Sequence, residues 1–463
     1  MQSPLLPFDI LSIIFDYLAP SFPAQEYNPN LDRAGYTESE VTFRKCFLPL
    51  ALVCRHWHIA AYPYLNRILS IRFRQRPGLT PETETETGVV GPKGLLDILQ
   101  WLDTQPFLPA SVRRLRLIMV NEPVESSDKS AESLDKPLSS GCDPSLVHIL
   151  LRRFHGVRAI ELSNLVFDNE QVLAHASTII TGHADVAPMN LNVLVLAYDA
   201  QRPLSAHTVQ LCTAWFGSVS TFIVRGDSKA GLIGGAVLEG LPARLAARTL
   251  TIDAPIHEGV RERLHCSPTF GDQGTLRVLH PRLALHSYDP LGTFMRPAVH
   301  VLEELHLDFT PWLPLRLILT EYPLDPAPFS YKRVMNIACS EPVVHLGEMH
   351  RLRELTIQLP VLHECFAIVQ RIISTLVLRP QTHDDNKYEF PPLRCVTLVL
   401  HGVWTILVHQ YWFMRVSAVL AGVPTLERCT LDLRASGSRE EDKVWFIQFM
   451  AELHERGLLH FVV

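Results

Sequence analysis

The string Leu302-Glu303-Glu304-Leu305-His306-Leu307 sets an apolar residue at its start, another three positions on and a third five positions on. The same spacing returns at Leu352, Leu355 and Ile357, at Leu393, Val396 and Leu398, and at Leu426, Cys429 and Leu431. Upstream it occurs at Val112, Leu115 and Leu117, at Val157, Ile160 and Leu162, and at Leu191, Leu194 and Leu196. It occurs again at Val219, Phe222 and Val224 and at Ala247, Leu250 and Ile252, and a weaker copy begins at Leu276. The closing alternation of each copy is the two-residue period of a strand with one buried face. Helical patterns fit between the copies. Asp143 suits the cap of a helix opened by Pro144 and running to about Phe154, with Leu146, Ile149, Leu150 and Phe154 apolar. Residues 170–180, 207–216, 362–376 and 441–456 read similarly, and Gly457 suits a C-terminal stop. Strand alternating with helix through short connections predicts an α/β fold with a parallel sheet.

The period of the string wanders between about 25 and 50 residues, and in this it resembles a leucine-rich repeat in degenerate form. The resemblance implies a solenoid over residues 94–463, in which stacked neighbours bury one another's apolar edges. The chain departs from that pattern in one respect. After the paired apolar residues there is usually no Asn or Cys where such repeats carry an asparagine ladder, which leaves a conventional doubly wound sheet as the structural alternative. Polar stretches at 121–141, 381–392 and 434–443 read as loops between repeats, and residues 76–93, with the run TPETETETG, read as a linker.

The first 75 residues have a different character. Pro7 is placed to open a helix, Asp9 favours its positive end, and Ile10, Leu11, Ile13, Ile14, Phe15 and Leu18 follow almost without polar interruption. A second helix reads from Pro49 through Ala61, and a third short helix or turn carries Leu65, Ile68 and Leu69. So small a module buries a poor fraction of its surface, so its apolar excess calls for cover from the rest of the chain or from another protein.

LPFDILSIIFDYL (residues 6–18) followed by LPLALVCRHWHIAAYPYLNRILSI (residues 48–71) resembles an F-box. The matching positions are Leu6-Pro7, Asp9, Ile10-Leu11, Ile14-Phe15 and Leu18, then Leu52-Val53-Cys54-Arg55 with Trp57, then Ala61, Pro63 and Leu65. The arrangement is most similar to the F-box-like heads of fungal, mushroom-type proteins. Residues 19–47 are an insertion where that family has a short link. The resemblance implies a three-helix head at residues 1–75 that docks the Skp1 adaptor of a cullin-RING ubiquitin ligase. Leu6, Pro7, Ile10, Leu11, Ile14, Leu52, Val53 and Trp57 would supply apolar anchors or the packing behind them. The solenoid would then capture a protein substrate. The bland reading of Trp57 is that it belongs to the module's own core.

Composition excludes several other classes. Of 463 residues, 47% are hydrophobic and 19% charged, the balance of a globular chain rather than a disordered one. A net charge of −6 gives no basic footprint for nucleic acid. The opening residues lack a basic n-region, and Asp9 and Asp16 break the apolar stretch, against a secretory signal. The apolar segment 402–423 holds His409, Gln410 and Arg415, so it reads as a buried helix and not as a membrane span. Nine cysteines without a CxxC suggest free thiols in a reducing compartment, the cytoplasm or nucleus.

Candidate chemistry is sparse. Gly226-Asp227-Ser228 after the strand-like TFIVR resembles the nucleophile block of SGNH hydrolases. Its partner block there is Asp-x-x-His, whereas Asp253 and His257 stand four apart and follow too soon. The 21 histidines include His56 and His58 near Cys54, and His401 and His409 downstream of Cys395, without metal-ligand spacing or an HExxH. No phosphate-binding glycine motif occurs. The expectation is an adaptor that is not an enzyme and has no cofactor or metal. The alternatives are a repeat scaffold outside any ligase and, third, a hydrolase.

Overall fold

The computed structural model describes residues 7–18, 48–65, 67–73, 94–120, 142–167, 188–198, 206–226, 245–253, 265, 267–282, 288–310, 344–360, 363–377, 390–402, 406–437 and 440–463. The chain forms two compact units, Met1–Arg244 and Leu245–Val463. Leu6, the insertion at 19–47, the linker at 76–93, the loop at 121–141 and the helix expected at 170–180 lie outside the described residues.

The first unit opens with α1 (Phe8–Leu18), a helical turn over 48–51 and α2 (Arg55–Leu65). The continuous helix expected from Pro49 to Ala61 is broken. Leu52 and Val53 donate to carbonyls only three residues back, those of Pro49 and Leu50, which tightens and closes the turn. The chain restarts where His58 donates to the Cys54 carbonyl at 2.9 Å. The third helix or turn expected around Ile68 is instead strand β1 (Ile68–Phe73). β1 pairs in parallel with β2 (Arg114–Met119), so pairing outweighs local helical pattern at these β-branched positions. Between the two strands lie α3 (Leu95–Asp103) and the short α4 (Leu108–Ser111), which packs on α2. α5 (Pro144–Arg153), β3 (Ala159–Ser163), β4 (Met189–Tyr198), α6 (Ala206–Trp215) and β5 (Phe216–Gly226) complete the unit. Asp143 caps α5 as expected, its Oδ1 accepting the Ser145 N–H at 2.8 Å.

The second unit runs β6 (Ala246–Asp253), β7 (Val278–Pro281), α7 (Tyr288–Met295), β8 (Glu304–Asp308), β9 (Glu354–Pro360) and α8 (His363–Ser374). It continues with β10 (Cys395–His401), α9 (Ile406–Ala421), β11 (Arg428–Asp432), α10 (Lys443–Phe449), α11 (Ala451–Glu455) and β12 (Leu459–Val462). The single helix expected over 441–456 is two, interrupted at Met450, and Gly457 ends the second in the left-handed region at φ 69°.

Every pairing within each unit is parallel, and strands follow chain order, β1 to β5 and β6 to β12. A doubly wound sheet reverses its strand order at a switch point, which neither unit does. The repeated strings explain the register. Leu250, Leu279, Leu305, Leu355, Val396 and Cys429 stand side by side on successive strands and are all buried. Leu307, Ile357, Leu398 and Leu431 form a second such column. In the first unit the columns are Leu115, Ile160, Leu194 and Phe222, and Leu117, Leu162, Leu196 and Val224. Each repeat therefore buries its leucines against its neighbour's, as nearest-neighbour stacking requires. The strand ends turn without an asparagine ladder. The carboxylates of Asp308 and Asp432 each accept the N–H two residues on, at 2.8 and 3.1 Å, which bends the chain out of the strand.

Candidate protein interaction surfaces

α1, the 48–51 turn and α2 enclose a small core of Leu11, Phe15, Ala51, Ala60 and Ala61, with Ile14, Leu50, Trp57, Tyr64 and Leu65 packed against it. The Phe15 ring meets Trp57 and Tyr64 edge-on, with centroids 5.7 and 5.6 Å apart. The expected anchors therefore divide. Leu11 is fully buried and Ile14 and Trp57 are half-buried against the same core, so these three hold the module together. Pro7, Ile10, Leu52 and Val53 face outward, Leu52 with 76% of its surface exposed and Val53 with 61%. Sequence reading did not single out Leu48 and Ile59, nor name Ile13 as an anchor. All three are more than half exposed. Their signal was present in the apolar excess of the head, but helical spacing alone does not say which side of a three-segment module is free. Among the described residues of the head, six aliphatic side chains, Ile10, Ile13, Leu48, Leu52, Val53 and Ile59, thus stay exposed outside its core.

The second surface is the sheet face of the carboxy-terminal unit opposite the leucine columns. The residue between the paired apolar positions points there in every strand, giving Thr251, which is itself buried, and then His280, His306, Thr356, Thr397, Thr430 and His460. These are hydrogen-bonding groups set one strand apart, about 4.8 Å. An ionic row borders them. Arg282 reaches Asp253 at 3.0 Å on one side and Asp308 at 3.4 Å on the other. His401 Nε2 lies 3.2 Å from Gln358 Oε1. Arg434, in a segment expected to be a solvated loop, clasps the Asp432 carboxylate with its guanidinium, the closest approach being 2.6 Å. Burial would raise the Asp432 carboxyl, but hydrogen bonds from the Arg434 side chain and backbone, and its charge, hold it below the usual range. Burial lowers His401 despite the opposing charges of Asp308 and Asp432, so the row is predominantly neutral at that point.

The described residues hold only part of the chemistry considered from sequence. Gly226 ends β5, and Ser228 and His257 lie outside the described residues. Asp253 is occupied by Arg282. Cys395 and His401 stand at opposite ends of β10, and His409 is buried in α9, stacked on Phe366 at 4.3 Å. Burial pushes the Cys429 thiol up to about 12 and raises Cys212 as well, which makes both poor nucleophiles and poor ligands. Among the described residues no three His, Cys, Asp or Glu side chains converge on a metal position, and no helix is long and apolar enough to cross a membrane.

Comparison with models of protein families and with curated proteins returns no match for this chain.

Proposed function

We propose that this chain is a substrate-receptor adaptor of an SCF-type ubiquitin ligase, of the fungal F-box kind with a degenerate leucine-rich-repeat body. The observation that carries the reading is the exposed aliphatic set of the head, standing over a core that Leu11 and Phe15 already fill. Apolar surface left out of a finished core favours a second polypeptide as its cover. The order of the two sequence blocks that supply it supports a Skp1-type adaptor as that polypeptide, linked through it to a cullin. The polar face of the carboxy-terminal sheet suits a captured protein. Threonine and imidazole groups at strand spacing match an extended or folded polypeptide surface better than a buried small-molecule pocket. Such a receptor speeds ubiquitin transfer by holding the substrate beside the charged conjugating enzyme, and it supplies no reacting group itself.

Retention of the full chain on immobilised recombinant Skp1 tests the reading. Replacing Leu52 and Val53 by Asp should abolish retention while leaving circular dichroism unchanged, because neither side chain packs in the core. Failure of the unmodified chain to bind would remove the ligase role.

The insertion at 19–47 motivates a second reading, a repeat scaffold whose head no longer engages Skp1. Deleting those residues separates the two. Binding seen only after deletion favours the scaffold, and equal binding before and after favours the receptor.

A further inference from the structure

The β7–β8 pairing stands apart from the other seams of the carboxy-terminal unit. Among the described residues its ladder covers only Val278↔Glu304 and Leu279↔Leu305, resuming in a single bridge between Arg282 and Asp308. The β9–β10 ladder by contrast pairs seven residues. The gap has a local cause. Pro281 has no N–H to give, and the Arg282 N–H turns to the Ile252 carbonyl on β6 at 2.7 Å. Side chains close what the backbone leaves open. The rings of His280 and His306 meet across the gap, centroids 3.7 Å apart and planes tilted by 39°, and Arg282 clasps Asp253 and Asp308 beyond them.

We propose that the β7–β8 seam is an acid-labile opening point, closed at neutral pH by the His280–His306 ring contact and the Arg282 clasp and released when His280 takes up a proton. This is independent of any partner at the head. The described groups that face the pair are Asp253 from β6, Arg282 from β7, Glu304 and Asp308 from β8, and Glu354 from β9, with Arg248 acting on Glu304. Glu304 stands 3.8 Å from His306, and its carboxyl is held below the ordinary range chiefly by the His306 side chain. Asp253 and Asp308 are already engaged by Arg282, and among the described residues no carboxylate pairs with the His280 Nε2. The Nε2 of His280 is buried without a hydrogen-bond partner, so a proton placed on it meets neither water nor an acceptor. Burial, and then the His306 charge, push the His280 imidazole down to about 3 from its ordinary 6.5. The folded state thus refuses a proton that the opened seam accepts. The closing free energy is complete above the ordinary value and declines as pH falls from 6.5 toward 3.

Amide exchange of the full chain, followed by mass spectrometry at pH 7.5, 6.0 and 5.0 and corrected for the intrinsic pH dependence of exchange, tests this. Exchange in β7 and β8 relative to the β9–β10 ladder should rise about tenfold or more between pH 7.5 and 5.0, since one decade per pH unit is the limit for one linked proton. His280→Leu should remove the rise, and His306→Gln should reduce it. Equal pH responses in the two ladders of the unmodified protein would overturn the proposal, whether or not the variants fold. So would a wild-type response persisting in folded His280→Leu.

Discussion

Leu11 and Leu52 belong to the same apolar signature, yet they have opposite roles. Leu11 fills the centre of the head, so Leu11→Ala removes buried methyl groups and leaves a cavity, at a cost of about 2–5 kcal/mol. Leu52→Ala, at an exposed position, should change stability by no more than about 0.5 kcal/mol. Denaturant unfolding followed by amide exchange in the head distinguishes the two. Asp432 shows the same division for a charged residue. Its folded-state value is held below the ordinary one, so its pairing stabilises above the ordinary carboxyl range and is lost as pH falls through the folded value. Because Arg434 is mostly exposed, solvent screening keeps that contribution small. Asp432→Asn should therefore lower the melting temperature slightly at pH 7 and leave it indistinguishable from wild type near pH 2.

Among the elements, α8 illustrates how a helix end is completed by tertiary contacts. The Thr375 hydroxyl accepts the Leu346 N–H at 2.8 Å and donates to the Ile372 carbonyl at 2.6 Å, all of it buried. Thr375→Val keeps the shape and strands the Leu346 N–H, which costs about 1–3 kcal/mol. A lowered midpoint in urea with unchanged slope would register it. The strands were legible because one string recurs with a buried column behind it, and ten of the twelve, β2 to β11, fall on the ten copies. β1 and β12 were not read. Ile68 reads from sequence as part of a short helix or turn with Leu65 and Leu69, and Leu459 to Val462 is a short string without a full copy. Parallel pairing with β2 and β11 respectively supplies the hydrogen bonds that decided both. The breaks at 52–54 and at Met450 were also invisible. Hydrophobic spacing survives an interruption of a residue or two, whereas the hydrogen-bond ladder does not.

At the scale of the chain, the head core and the leucine columns share no residues, so their failures should separate. Leu398→Ala, in the buried column of the carboxy-terminal unit, is expected to destabilise that unit by about 2–5 kcal/mol while the full chain is still retained by Skp1. Loss of retention in that variant would mean that head and repeats are not energetically distinct. By itself the sequence determined the parallel α/β repeat, the rows of buried leucines and the apolar excess of the first helices. Each follows from periodicity, which is a property of neighbours along one chain. Only the tertiary structure decided which of those apolar residues remain exposed, where the histidines stack and which carboxylates Arg282 clasps. Those outcomes depend on how the head helices pack and on register between strands distant in sequence, and the spacing within any single element carries no record of either.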